Sequence, residues 1–287
     1  MEELYGEWLP PLPRPGPKGE FPMAMRTHDT RTEATGPGHP SRSGHASHPG
    51  RPSPRRPDDR IAQVIAQALG DARTVLNVGA GVGSYEAPAH SITAVEPSLA
   101  MRARRPARLA TAIDAVAEDL PFADGQFDAA MTLFSVHQWA DAEAGLREMR
   151  RVTRGPVAVL TCDPARVRDF WLYEYAPDVL EAEARRHPSL DRLTAALGGS
   201  TTVRPVPIPL DCTDGFNEAY YGRPELLLDP AARQACPAWS FVDDRARQDF
   251  DASLRRALGS GAWDEAFGHL RNRPVYEGSL VLLRATP

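Results

Sequence analysis

The feature that most constrains this chain is Val75-Leu-Asn-Val-Gly-Ala-Gly-Val-Gly-Ser-Tyr-Glu86, an apolar run that leads straight into a turn with glycines at 79, 81 and 83. Glycine lacks a Cβ, so Gly79 and Gly81 can take positive φ and let a bound molecule approach the backbone. At the carboxyl end of a parallel strand, such a turn marks a nucleotide-type site. The spacing is G-x-G-x-G, with Ser84 where the dinucleotide fingerprint places its last glycine. Pro88 follows closely and opposes a long regular helix, whose N-terminus a pyrophosphate would need. On the glycines alone, a cofactor loop and a tight strand-to-helix corner remain equally open.

The surrounding pattern is that of a parallel sheet. Apolar runs recur at 75–78, 92–95, 110–113, 127–133 and 156–161, with helix-compatible segments between several of them. Asp58 caps a predicted helix in which Ile61, Val64, Ile65, Ala68 and Leu69 share one face and Gly70 ends it. The clearest crossover helix is Asp141 to Val152, closed by Gly155-Pro156. Beyond Cys162 the pattern turns helical, with aromatics clustered at 170–175. A sixth strand over 202–210 carries Pro205, Pro207 and Pro209, which confine it to an edge or to unpaired positions. Residues 211–275 are helical again, and 278–284 is a final apolar strand. Helical insertions at about 163–200 and 211–275 would form a lid over the carboxyl edge of the sheet.

Composition separates the first 57 residues from the rest. They hold 12 of the 28 prolines and show no apolar periodicity, so they read as a disordered arm unable to offset the entropy of ordering. The remainder, 58–287, carries 25 basic and 32 acidic groups, net −7, which weighs against a nucleic-acid substrate. Arg51-Pro-Ser-Pro-Arg-Arg56 reads as a solvated linker. Cys162, Cys212 and Cys236 are odd in number and far apart, which implies a reducing compartment and no structural metal. With no signal-like start and no apolar run approaching 18 residues, a cytoplasmic protein that does not enter the membrane is expected.

Glu96 ends the second strand 17 residues after Gly79, near the spacing at which an acid reaches ribose hydroxyls. A glycine turn followed by an acidic strand end fits S-adenosylmethionine, which carries no phosphate. Leu76-Asn-Val-Gly-Ala-Gly-Val-Gly83, Val95-Glu-Pro-Ser98, Ala117-Glu-Asp-Leu-Pro-Phe122, Phe127-Asp-Ala-Ala130, Val136-His-Gln-Trp139 and Glu148-Met-Arg-Arg-Val152 occur in order over 58–162. In these the chain resembles the class I S-adenosylmethionine-dependent methyltransferases, within them the branch of the ubiquinone and menaquinone C-methyltransferases. The resemblance implies an α/β, Rossmann-like, doubly wound seven-stranded sheet, mostly parallel with a reversed last strand. It implies that Gly79, Ala80 and Gly81 line the methionine part, Glu96 holds the ribose and Ala117-Glu118 lie at the adenine. Asn77, Gly83, Pro97, Ser98, Met101, Leu133 and Phe134 complete the implied cofactor set. Two departures stand out: many members have Asp where this chain has Asn77, and Asp where it has Val116.

Methyl transfer from a sulfonium is an in-line displacement, so alignment and proximity can supply much of the acceleration. A base is needed only if the acceptor must lose a proton. His137 is the best candidate, with a structural histidine beside packed Trp139 as the alternative. Tyr85, Trp139, Trp171, Tyr175 and Tyr221 are candidates to line an apolar acceptor pocket; the same spacing also suits helices packing on the sheet. The expected activity is methyl transfer to a small-molecule acceptor. The alternative is a chain that binds the cofactor without transferring methyl, which Asn77 motivates, and a nucleic-acid methyltransferase ranks last.

Overall fold

The computed structural model describes residues 55–287. Asp58 caps α1 (Asp59–Leu69) by accepting from the Arg60 N–H at 3.0 Å, and Gly70, at φ 62°, ends it. The chain continues through β1 (Thr74–Val78), β2 (Ser91–Val95), α2 (Leu99–Ala103), β3 (Ala129–Leu133), α3 (Ala142–Arg151) and β4 (Val157–Cys162). Then come α4 (Pro177–Arg186), α5 (Leu190–Leu197), β5 (Ser200–Pro205), β6 (Ile208–Pro209), α6 (Pro230–Gln234), α7 (Asp244–Ser260), α8 (Ala262–Phe267), β7 (Val275–Tyr276) and β8 (Leu280–Thr286), with short 3-10 turns between.

The main sheet has the order β2-β1-β3-β4-β8-β5. Strands β2, β1, β3 and β4 are parallel, while β8 is antiparallel to both neighbours, the reversed last strand that was expected. From β1 the chain winds first to β2 on one side and then to β3 on the other. The carboxyl end of β1 is therefore the switch point where open α/β sheets bind ligands.

Among the described residues the sheet has six strands, not seven. Of the run 110–113, only Ile113 pairs, its N–H donating to Ala94 O at 2.8 Å and its carbonyl accepting from Glu96 N at 3.0 Å. Its one large apolar residue is more than a third exposed, and the Ala110 carbonyl is taken by the Arg105 guanidinium, so the strand does not propagate. The prolines act as expected: β5 is an edge strand, and after Pro205 and Pro207 the chain leaves the sheet to pair β6 with β7.

Both faces of the sheet are covered, which is why β4 is buried at every residue. Val157 and Val159 pack with Leu146 and Met149 of α3 and Leu193 of α5. Ala158 and Leu160 pack with Ile61 and Ile65 of α1 and with Phe170 and Trp171. The arm expected over 1–57 lies outside the described residues up to 54. Residues 55–57 are described, and they are fastened to the second insertion: Arg55 bridges Asp214, and Thr213 Oγ1 donates to Pro57 O at 3.2 Å.

Candidate cofactor and acceptor site

The turn after β1 is left-handed at all three glycines, with φ 68° at Gly79, 53° at Gly81 and 87° at Gly83. The Ala80 N–H donates to Val95 O at 2.9 Å and ties the turn to β2. A Cβ on Gly79 would strike the Ser135 hydroxyl and come within 2.7 Å of its Cβ. Ser135 cannot retreat cheaply: its Oγ bonds Thr132 Oγ1 at 2.6 Å and donates to Val78 O at 3.2 Å. A Cβ on Gly81 meets only the Met101 methyl, at 3.5 Å.

Glu96 closes the other wall. It is 7% exposed, and its two oxygens accept from Gly81 N at 2.8 Å and from Ser98 N at 2.9 Å. Each oxygen keeps a further lone pair, so a vicinal diol can still be accepted. Beyond Pro97, Ser98 caps α2 through Met101 N, and Arg102 donates to Glu96 O at 2.7 Å, which fixes the strand end. Asn77 donates Nδ2 to Glu86 Oε1 at 2.9 Å, while its Oδ1 is buried without a partner among the described residues, two residues before Gly79. An orphaned acceptor there costs about 1–3 kcal/mol unless a ligand or water supplies a donor.

Ala117 is buried, and Glu118 accepts from Asp141 N at 2.9 Å, so one of its oxygens serves the start of α3. Trp139 lies with the core of the α3 face: a Cβ on Gly145 would meet its ring at 2.6 Å and Ala117 Cβ at 2.9 Å, and one on Gly79 would come 3.4 Å from its Nε1. The flat ring needs small residues at both places, so it sits under the glycine turn and not in an acceptor pocket. Leu133 ends β3, and Phe134 beyond it is left-handed at φ 55°, its N–H donating to Leu160 O at 2.9 Å.

On the acceptor side, Tyr85 is left-handed at φ 65° and nearly buried; its hydroxyl donates to Asp214 Oδ2 at 2.8 Å and accepts from Asp58 N at 3.3 Å. Arg55 pairs with the same carboxylate at 2.6 Å and lies 5.0 Å over the Phe134 ring, which contacts Phe216 at 5.7 Å. His137 packs on His187 with ring centroids 4.3 Å apart, and its Nδ1 is buried without a partner among the described residues. Burial pushes the His137 pKa well below 6.5, and His187, Arg186 and Arg55 add to the effect. Deeper in, Asn217 donates to Glu183 at 2.7 Å and accepts from Trp239 Nε1 at 3.0 Å. Glu218 accepts from Ser279 N at 2.8 and 3.0 Å, and burial, opposed by these bonds and aided by Glu183, lifts its pKa to about 7. A cavity of about 10 Å³ lies among Cys162, Glu183, Phe216 and Glu218, room for about one water. A much larger depression, about 690 Å³ along Arg73, Asp128 and Pro156, is at the amino edge of the sheet, the wrong end for a ligand of this fold.

Trp171 and Tyr221, expected among the pocket residues, are instead core. Trp171 donates to Tyr221 O at 3.0 Å and packs edge-on to Trp263 at 5.5 Å; Tyr221 donates to Arg273 O at 2.6 Å and stacks on Tyr276 at 5.1 Å. Tyr175 packs edge-on to Trp171 at 5.9 Å. Their large apolar rings cover the sheet face opposite α3. Arg55, Glu183, His187, Asn217 and Glu218 carry no signal in the sequence that marks them for this region. For Asp214 and Phe216 a weak signal existed in the turn Asp214-Gly-Phe216.

Residues 76–157 match the methyltransferase domain family model. The uncharacterized protein YafE of Escherichia coli is 37% identical over 100 residues, 33% of this chain and 46% of that protein. The demethylmenaquinone methyltransferase of Mycolicibacterium vanbaalenii is 35% identical over 107 residues, 37% of this chain and 42% of that protein. Both alignments span less than half the length of the curated relative. Among solved structures, a candidate methyltransferase from an antibiotic biosynthesis pathway of Anabaena variabilis superposes with a TM-score of 0.75 at 25% identity, covering 82% of this chain and 100% of that one.

Proposed function

We propose that this chain, whose fold and matched segment are those of the class I S-adenosylmethionine-dependent methyltransferases, transfers a methyl group to a small-molecule acceptor. The observation that carries the reading is Glu96, a carboxylate hydrogen-bonded to the amide of a left-handed glycine, just past the end of the strand that pairs with the one carrying Asn77. These groups suit the cofactor: Glu96 for the ribose diol, Gly79, Ala80 and Gly81 for the close approach of the methionine part, and Asn77 Oδ1 for its ammonium or a bridging water. Pro97, Ser98, Met101, Ala117, Glu118, Leu133 and Phe134 complete the cofactor wall. When bound, S-adenosylmethionine supplies an activated methyl that is displaced in line.

The chain's own work is to align the acceptor and exclude water. Phe134 and Phe216 are the acceptor wall in this reading, with Tyr85 and His137 as its candidate polar groups, and the second insertion, tied to Tyr85 and Arg55 through Asp214, covers it. His137, held neutral, is the group available to take a proton from an acceptor that must lose one. The acidic balance of 58–287 and the likeness to a demethylmenaquinone methyltransferase favour a small molecule over nucleic acid. Unpaired cysteines fit a reducing, cytoplasmic setting. The domain begins near residue 58, with the proline-rich arm before it.

The test is transfer of an isotopically labelled methyl from S-adenosylmethionine to a metabolite extract, read by mass spectrometry. The expected result is label in a small molecule. Label confined to nucleic acid overturns the acceptor class, and tight cofactor binding with no labelled product favours the non-transferring reading.

A further inference from the structure

The glycine turn is held from behind by a buried charge pair. Arg105 and Glu86 have side-chain exposures of 4% and 3%, and Arg105 Nη2 reaches both Glu86 oxygens, at 3.0 and 2.8 Å. The same guanidinium donates through Nη1 to the Gly81 carbonyl at 3.2 Å, and through Nε and Nη2 to Ala110 O at 3.2 and 3.1 Å. Only a planar fork of donors serves three acceptors from one buried position. From β1, Asn77 donates to Glu86 Oε1 at 2.9 Å. Gly83 makes room for the group: a Cβ there would press on Leu109, on Arg105 Nη1 at 3.1 Å and on Glu86 Oε2 at 3.3 Å. An aspartate at 77 would set a second carboxylate against Glu86 with one cation between them, and two carboxylates sharing a site do not both ionise readily.

We propose that Asn77, Glu86 and Arg105 form one positioning unit, in which Arg105 sets the Gly81 carbonyl of the cofactor turn and Glu86 requires an amide at position 77. The neutral residue in the strand is then a matched partner of the acid at 86 and not a lost function. The proposal rests on reading the turn as a cofactor site.

The test compares wild type, Asn77→Asp, Glu86→Gln and the double variant in the full chain, by S-adenosylmethionine calorimetry and by urea midpoint without cofactor. Asn77→Asp is expected to weaken cofactor binding on the order of 10-fold or more and to lower the midpoint, because it juxtaposes like charges. Adding Glu86→Gln to it is expected to recover most of both losses. Asn77→Asp binding as tightly as wild type or tighter, or a double variant showing only the sum of the single effects, overturns the unit. If the wild type binds no cofactor, the proposed function fails, while the urea midpoints still decide the coupling. Should Asn77→Asp not fold, Arg105→Lys replaces it: a lysine cannot serve all three acceptors, so affinity and midpoint must both fall, and unchanged values refute the proposal.

Discussion

Replacing Gly79 by alanine separates the need for a left-handed backbone from the need for an absent side chain. The φ of 68° costs a residue with a Cβ about 1 kcal/mol. The new methyl also lands on Ser135 and must drive it from its hydrogen bonds to Thr132 and Val78, each worth about 1 kcal/mol. The loss should therefore total about 3 kcal/mol. Gly81→Ala carries the same backbone cost at φ 53° but meets only a methionine methyl at 3.5 Å, so about 1 kcal/mol is expected. At roughly 2–4 °C per kcal/mol for a domain of this size, thermal melts should place Gly79→Ala about 6–12 °C below wild type and Gly81→Ala about 2–4 °C below. Equal melting temperatures, or the reverse order, would refute the assignment of Gly79 to the Ser135 contact. In a Ser135→Gly background, which already lacks those two hydrogen bonds, Gly79→Ala should cost only the backbone part, about 1 kcal/mol.

Glu96→Gln keeps the side chain's shape but gives up one acceptor oxygen and the charge. Cofactor affinity in calorimetry should fall about 10-fold or more in a folded variant, and unchanged affinity would remove Glu96 from the ribose site. His137→Ala should lower turnover more than cofactor affinity; because its pKa lies well below 6.5, the wild-type rate should show no inflection from this ring between about pH 6.5 and 8. Wild-type turnover in the variant would return His137 to packing against His187. Glu218 has a folded pKa of about 7 against an ordinary 4.5, so the stability it contributes is fully present below pH 4.5 and lost as pH rises through 7. Unfolding free energies of wild type and Glu218→Gln from urea melts should diverge between pH 5 and 8 by about 2.5 kcal/mol in favour of the variant, and parallel curves would show that the acid is already ionised.

What was legible in the sequence is what is local. The Asp58 cap, the crossover helix near 141–152, the glycine turn and the acid ending β2 each depend on residues a few positions apart, and each lies where its pattern put it. The prolines at 205, 207 and 209 marked an edge strand for the same reason, since a missing donor acts where it stands; the strand expected over 202–210 stops at Pro205, and 208–209 pairs elsewhere. The acceptor side is different. Arg55 and Asp214 are 159 residues apart, and nothing near either announces the other. Glu183, Asn217 and Glu218 sit in helical segments where a buried polar residue breaks no period strongly enough to be seen. Trp171 and Tyr221 show the converse: an aromatic cluster looks alike whether it lines a pocket or packs a sheet, and only the direction of each ring separates the two. The strand expected at 110–113 failed because one large apolar residue and a carbonyl diverted to Arg105 do not propagate a ladder.

The central claim is that the turn at 79–83 and Glu96 hold S-adenosylmethionine. Calorimetric titration of the full chain with S-adenosylmethionine and, separately, with NAD tests it most directly. The account predicts saturable one-site binding of S-adenosylmethionine that Glu96→Gln weakens, with NAD binding far weaker or absent. Tighter binding of NAD, or no binding of S-adenosylmethionine by the folded chain, would contradict it.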